Sequence, residues 1–386
     1  MKKKMLLLLV FSIQLAAHAQ FSWTQKTNFP GAPRYHAACF EIGNKIYVGT
    51  GWNNATNYND FYEYDITTDT WTAKANFPGA ARYACAGFAV GSKGYFTCGR
   101  TGNTYYNDLY EYNPVTDSWS QKTNFPPLGR HHPVGVGIGS KGYVGTGQRG
   151  STLYNDWYEY NPATDVWTQK TNLPGAVRHA AFAMVIGGKA YVGCGYTGTG
   201  YTNTFYEYDT LINAWAQKAN YAGAGREHNV SFGFTNVGYA GTGYDGGNDT
   251  QDFWEYNPTS DQWTQIIDFT GTAREGAVAI SSGSSAFVIT GWDGTNQNDT
   301  WEFISATGTA EQNKSDALAT FPNPASSHLN IAVNNFSYGE LFSCEGKMIL
   351  KFSMPEINLT SLENGMYYLK VVSANKVITQ KVIVQK

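Results

Sequence analysis

Residues 130–167 read RHHPVGVGIGSKGYVGTGQRGSTLYNDWYEYNPATDVW, and period-two alternation between turn residues divides this stretch into four short strands. The first is small and apolar, Pro133 to Ile138. A turn at Gly139-Ser140-Lys141-Gly142 leads to Tyr143-Val144-Gly145-Thr146-Gly147. The polar, Gly-rich loop Gln148 to Asn155 precedes Asp156-Trp157-Tyr158-Glu159-Tyr160, and Asn161-Pro162-Ala163-Thr164-Asp165 turns the chain toward a last strand around Trp167. Asn before Pro pre-sets the backbone for that reversal. No stretch has a sustained 3.6-residue apolar period, so helices should be scarce.

The same unit recurs at a fixed step. Trp23, Trp71, Trp119, Trp167, Trp215 and Trp263 are 48 residues apart, as are Arg34, Arg82, Arg130, Arg178, Arg226 and Arg274. A period of this length marks a repeat architecture whose units bury their apolar faces on one another. Four-stranded sheets set radially answer the pattern, with Gly and Ala near the crowded axis and Tyr, Phe and Trp filling the outer gaps. The register tryptophans are therefore expected in the inter-blade core, and each arginine is expected to tie a loop to its neighbour's carbonyls. The last repeat has Glu311 where its final Trp strand would fall, while Phe21-Ser22-Trp23-Thr24-Gln25-Lys26 is an orphan copy of that strand. An open ring would leave sheet edges bare, so the N-terminal strand is expected to close the sixth blade.

With an Arg before the first strand, a Tyr-Val-Gly-x-Gly second strand, a Tyr-x-Tyr third strand and a Trp in the fourth, residues 21 to 304 resemble kelch repeats. Kelch repeats usually carry two adjacent glycines after the second strand; here that register reads Gly49-Thr50-Gly51 and Gly145-Thr146-Gly147. The resemblance implies an all-β, six-bladed propeller over residues 20–304.

The ends differ in kind. Residues 1–19 combine three lysines, an apolar run from Met5 to Ile13 and Ala17-His18-Ala19, which predicts a secretory signal too short to remain as a span. Residues 305–317 form a polar linker. Phe321-Pro322-Asn323-Pro324-Ala325, Leu329-Asn330-Ile331, Glu345-Gly346-Lys347, Gly365-Met366-Tyr367-Tyr368-Leu369 and the tail ending at Lys386 resemble the C-terminal sorting domain of the type IX secretion system. That resemblance, over residues 318–386, implies a small β-sandwich, engagement of the type IX machinery and passage through the periplasm to the cell surface or medium.

A net charge of −3, which includes the leader lysines, argues against a nucleic-acid partner. Five cysteines do not make a disulfide framework. Cys98 and Cys194 share a register that asks for a small buried residue, and Cys39 and Cys85 lie in neighbouring first strands where a pair is conceivable.

Two sets of loops are expected on one face of the ring. Two places after the repeat arginine stand His36, Ala84, His132, Ala180, His228 and Gly276; one place after it stand Tyr35, Tyr83, His131, His179, Glu227 and Glu275. Histidine in alternate blades offers a weak metal candidate, His36 with His132 and His228; duplication of a two-repeat unit would give the same alternation, and structural or ligand-contacting roles come first. The sequence calls for no cofactor. The loops after the second strands carry Trp52, Tyr58, Tyr106, Tyr154, Tyr201, Tyr244 and Trp292 among Asn, Thr and Gly. Such rings and amides suit sugar C–H faces and hydroxyls, or a protein partner. Asp245, Asn248, Asp249 and Asp252 miss the spacing of a calcium loop.

Some kelch-type propellers are enzymes, among them a six-bladed sialic acid mutarotase. An isomerase of that type would draw its acid and base from Glu227, His228 and Glu275. Against it, the repeats have one length apart from a single missing residue before Glu302. The expectation is a secreted or surface binding platform for a glycan or protein, with a sugar isomerase as the alternative.

Overall fold

The computed structural model describes residues 21–305, 319–321, 326–332, 336–343, 347–373 and 376–386. The expected signal, the expected linker from 306 onward, and Pro322 to Ala325 with Glu345-Gly346 lie outside the described residues. The chain divides into two compact units at the 306/307 boundary, and the described residues contain strands and no helix, hence none long and apolar enough to cross a membrane.

In the first unit, blade three shows how a repeat builds a sheet. Its strands are Val134–Ile138, Lys141–Gly145, Trp157–Asn161 and Val166–Gln169, hydrogen-bonded in that order. The second strand starts two residues earlier than its sequence suggests. Gly139, at φ +58°, closes a two-residue turn, so Ile138 pairs with Lys141, and Thr146 and Gly147 end the strand by turning to φ +60° and +97°. The described residues of the first unit hold six such four-stranded sheets. Their inner strands touch in cyclic order, the last against the first.

Glycine sets how closely blades approach. A Cβ at Gly142 would stand 2.2 Å from Phe88 of the preceding blade, and one at Gly137 1.8 Å from the Ala89 carbonyl oxygen. Farther out, Trp71, Trp119, Trp167, Trp215 and Trp263 pack at the blade interfaces, and each Nε1 donates to a carbonyl in the segment leaving the preceding blade, at 2.8–3.1 Å. Closure is as expected. Ser22–Lys26 pairs antiparallel with Asn296–Ile304, Trp23 facing Phe303, as the outer strand of the sixth sheet.

The arginines act differently from the expectation. Arg130 Nη1 donates to the Thr146 carbonyl of its own repeat at 2.8 Å, and the guanidinium forks onto Asp156 at 2.6 and 2.9 Å. Such planar two-point pairing suits a buried arginine better than carbonyls alone. Asp60, Asp108, Asp252 and Asp299 repeat the pairing with Arg34, Arg82, Arg226 and Arg274. Cys39, Cys85, Cys98 and Cys194 are all free thiols; Cys39 Sγ donates to the Ala279 carbonyl and Cys85 Sγ to that of Cys98, so the conceivable pair does not form.

The second unit is a small two-sheet body. Ala319–Phe321, His328–Ala332 and Glu356–Asn358 form one sheet; Met348–Phe352, Phe336–Ser343, Gly365–Ser373 and Lys376–Val384 form the other. Leu329, Ile331, Leu341, Ile357, Leu369, Val371 and Val382 are among its buried core.

Candidate functional site

The two loop sets do meet on one face. The residue after each repeat arginine bridges the first residue of the loop beyond the second strand: Tyr35 with Trp52, Tyr83 with Arg100, His131 with Gln148, His179 with Tyr196, Glu227 with Tyr244 and Glu275 with Trp292. One step farther along lies a closed ring. His36, Ala84, His132, Ala180, His228 and Gly276 each donate a backbone N–H to the carbonyl of the equivalent residue in the preceding blade, at 2.7–3.3 Å, and the last link joins Gly276 back to His36. All six sit at φ +50° to +62°. For five residues bearing a Cβ that conformation is costly and persists only where the surroundings over-determine it; the six-fold hydrogen-bond ring does so here.

The ring holds three imidazoles at the mouth of the axis. The centroids of His36, His132 and His228 are 4.3–4.6 Å apart. His228 Nδ1 lies 2.8 Å from Glu275 Oε2, and His132 Nδ1 lies 3.0 Å from His131 Nδ1. Glu227 Oε2, buried and without a hydrogen bond, lies 3.5 Å from His179 Nε2 and 3.9 Å from His228 Nε2. Beneath the histidines a cavity of about 160 Å³ is lined by Ala84, Ala180 and Asn229, among others, and the Asn229 amide is buried with neither its nitrogen nor its oxygen paired.

Burial dominates the electrostatics of this mouth. Desolvation, then neighbouring histidines, hold His36 and His132 well below the usual imidazole value. Burial and Arg100 lower His131 to about 3, and burial with His228 lowers His179 to about 4. His228 is the exception. Burial opposes its charge, but the Glu275 hydrogen bond and the Glu227 charge outweigh that and raise it. Desolvation raises the Glu227 carboxyl, with Glu275 adding to it and His228 opposing. Asp249 is pushed up to about 6 by burial and by the carboxylates of Glu275 and Asp293.

Around this centre the loop aromatics split into two groups. Tyr35 packs between Trp52 and Trp292, with centroids 5.5 and 5.7 Å away, and Trp52 stacks on Tyr83 at 5.1 Å. Tyr196, Tyr201 and Tyr244 form a second arc. Tyr58, Tyr106 and Tyr154 do not join either arc. Their rings lie 3.7–3.9 Å over the buried guanidinium groups of Arg34, Arg82 and Arg130, where they complete the arginine clamp. Sequence reasoning did not single out Arg100 and Arg149, which stand over Tyr83 and Tyr105. They extend from two-residue hairpins, Arg100–Thr101 with Thr104–Tyr105 and Gln148–Arg149 with Thr152–Leu153, and their break with the register was the available signal. The mouth is thus polar in charge, with arginines from blades two and three and the carboxylates of Glu227, Asp249, Glu275 and Asp293 from blades five and six.

Residues 6–176 match the KLHDC2/KLHL20/DRC7 Kelch-repeats domain. The propeller is of the kelch type. Beyond it, residues 319–385 match the Secretion system C-terminal sorting domain, which marks the chain for secretion or outer-surface export. The solved structure of YjhT aligns with 72% of this chain and 96% of its own at 17% identity, with a TM-score of 0.61; at that identity the likeness shows the fold. No curated protein matches the sequence.

Proposed function

We propose that this is an exported binding propeller whose loop face, centred on the axial mouth, takes a glycan or protein ligand. The carrying observation is the convergence, on one face, of half-buried rings and of separated positive and negative groups around a preformed opening. Rings offer flat apolar contact and the amides and carboxylates fix orientation. In this reading a signal over residues 1–19 is removed, the propeller spans 20–304, a linker spans 305–317, and residues 318–386 engage the type IX machinery that carries the protein from the periplasm to the cell surface or medium. A glycan array probed with the full exported chain tests it. Binding should be lost in a Trp52→Ala/Trp292→Ala variant that keeps its circular dichroism and melting profile, and binding retained by that variant removes the face assignment.

One observation favours a second reading, a sugar isomerase. Glu227 Oε2 is buried, unpaired and flanked by two histidines, and a carboxyl whose pKa burial raises is the kind of group that serves proton transfer. Interconversion of the anomers of an array-identified sugar by the native chain, abolished in Glu227→Gln with affinity kept, would establish it; a native chain that leaves the anomer ratio unmoved sinks it.

A further inference from the structure

His36, His132 and His228 face one another across the axis, and one nitrogen of each lies within 4.8 Å of one nitrogen on each of the others. In two of them Nδ1 is already engaged. Nδ1 of His228 meets Glu275, and Nδ1 of His132 meets His131. Nε2 of both is shielded from solvent and has no hydrogen-bond partner. Leaving a buried polar nitrogen unpaired costs about 1–3 kcal/mol, so two at one point call for a shared partner. An imidazole anchored through one nitrogen by a second group and bare at the other is how metal-bound histidines are held.

We propose that His36, His132 and His228 form a three-histidine site for a divalent first-row transition ion of the zinc class, centred on the propeller axis. Zinc binds imidazole nitrogen at about 2.0–2.1 Å, which sets tetrahedral ligands about 3.3 Å apart. Starting from separations of at most 4.8 Å, each nitrogen moves inward by under about 1 Å, which side-chain torsions supply while the backbone ring stays in place. The small residues of the intervening blades make the space. A Cβ at Gly276 would come within 2.8 Å of His36 Nδ1 and Cε1, and Ala84 and Ala180 hold the other two places. Glu227 Oε2, unpaired and 3.9 Å from His228 Nε2, stands beside the site. Its charge and that of Glu275 offset the ion's.

The full chain, stripped with a chelator and dialysed against zinc, should retain one ion per chain by elemental mass spectrometry. Cobalt(II) in its place should give the visible bands of a four-coordinate centre. His36→Ala, His132→Ala and His228→Ala should each release the ion. Alanine already occupies this ring position in blades two and four, at φ +56° and +51°, so these variants keep the fold, and unchanged melting of the metal-free proteins checks it. His131→Ala should weaken binding about 10- to 100-fold through the lost support of His132, and His328→Ala, in the second unit, should change nothing. A native chain that retains no ion, or one retained equally by all three ring variants, overturns the site. The readout is the ion alone, so it stands apart from whether the loop face takes a glycan.

Discussion

The six repeat arginines are 0–2% exposed, and a buried guanidinium is tolerated only with its charge answered. At Arg82 and Arg226 burial works against the charge, but Asp108 and Asp252 outweigh it and hold both pKa values above the ordinary one. At Arg178 burial wins and the pKa is lowered. The reason is one letter: Thr204 stands 26 residues after Arg178, where four of the other blades have Asp60, Asp108, Asp156 and Asp252, and the sixth pairs Arg274 with Asp299. The Tyr206 hydroxyl takes the place beside that guanidinium instead, and Tyr206 is correspondingly buried. Asp156→Ala removes the partner of Arg130 without supplying such a hydroxyl, and should cost about 3–5 kcal/mol in a denaturant melt; a loss below about 1 kcal/mol would show that the pair is not what holds the loop. The arginine register was plain in the sequence, and an Asp follows 26 residues on in four of the six repeats and 25 on in the last. Its role escaped notice because a carboxylate just ahead of a strand reads equally well as an exposed turn residue.

Strands were the most legible level, because their period of two and the turn dipeptides repeat with each blade. The closing strand was legible from a gap, the Trp missing at position 311 and present at Trp23. What the gap did not reveal is that this last tryptophan lacks the hydrogen bond of the others. Trp119 Nε1 donates to the Ala75 carbonyl at 2.9 Å, whereas Trp23 Nε1 is buried without a partner. Trp119→Phe should therefore lose stability by about 0.5–1.5 kcal/mol more than Trp23→Phe, the net worth of one hydrogen bond. Equal losses in thermal melts would mean that Trp23 finds a partner in solution. The two-residue hairpins in the loops of blades two and three were not legible, since two paired residues carry no alternation to read.

For the whole molecule, the 48-residue period told which residues share a level of the ring, and so predicted the loop face and its histidines. It did not tell which way each ring turns. That is set by packing between blades: Glu275 reaches back to His228, Trp52 leans on Tyr83, and Tyr58, Tyr106 and Tyr154 turn from the mouth to cover arginines. Nor did it show the separation of charge across the mouth, which comes from single departures such as Arg100 and Glu275. In the proposed function, this one face is where the molecule acts. Hydrogen–deuterium exchange of the full chain, with and without its strongest array-identified glycan, tests it most directly. Added protection is expected in the segments 52–58, 244–250 and 292–297, with none in the opposite-face turn 161–165; protection confined to that turn or to residues 319–385 would remove the face assignment.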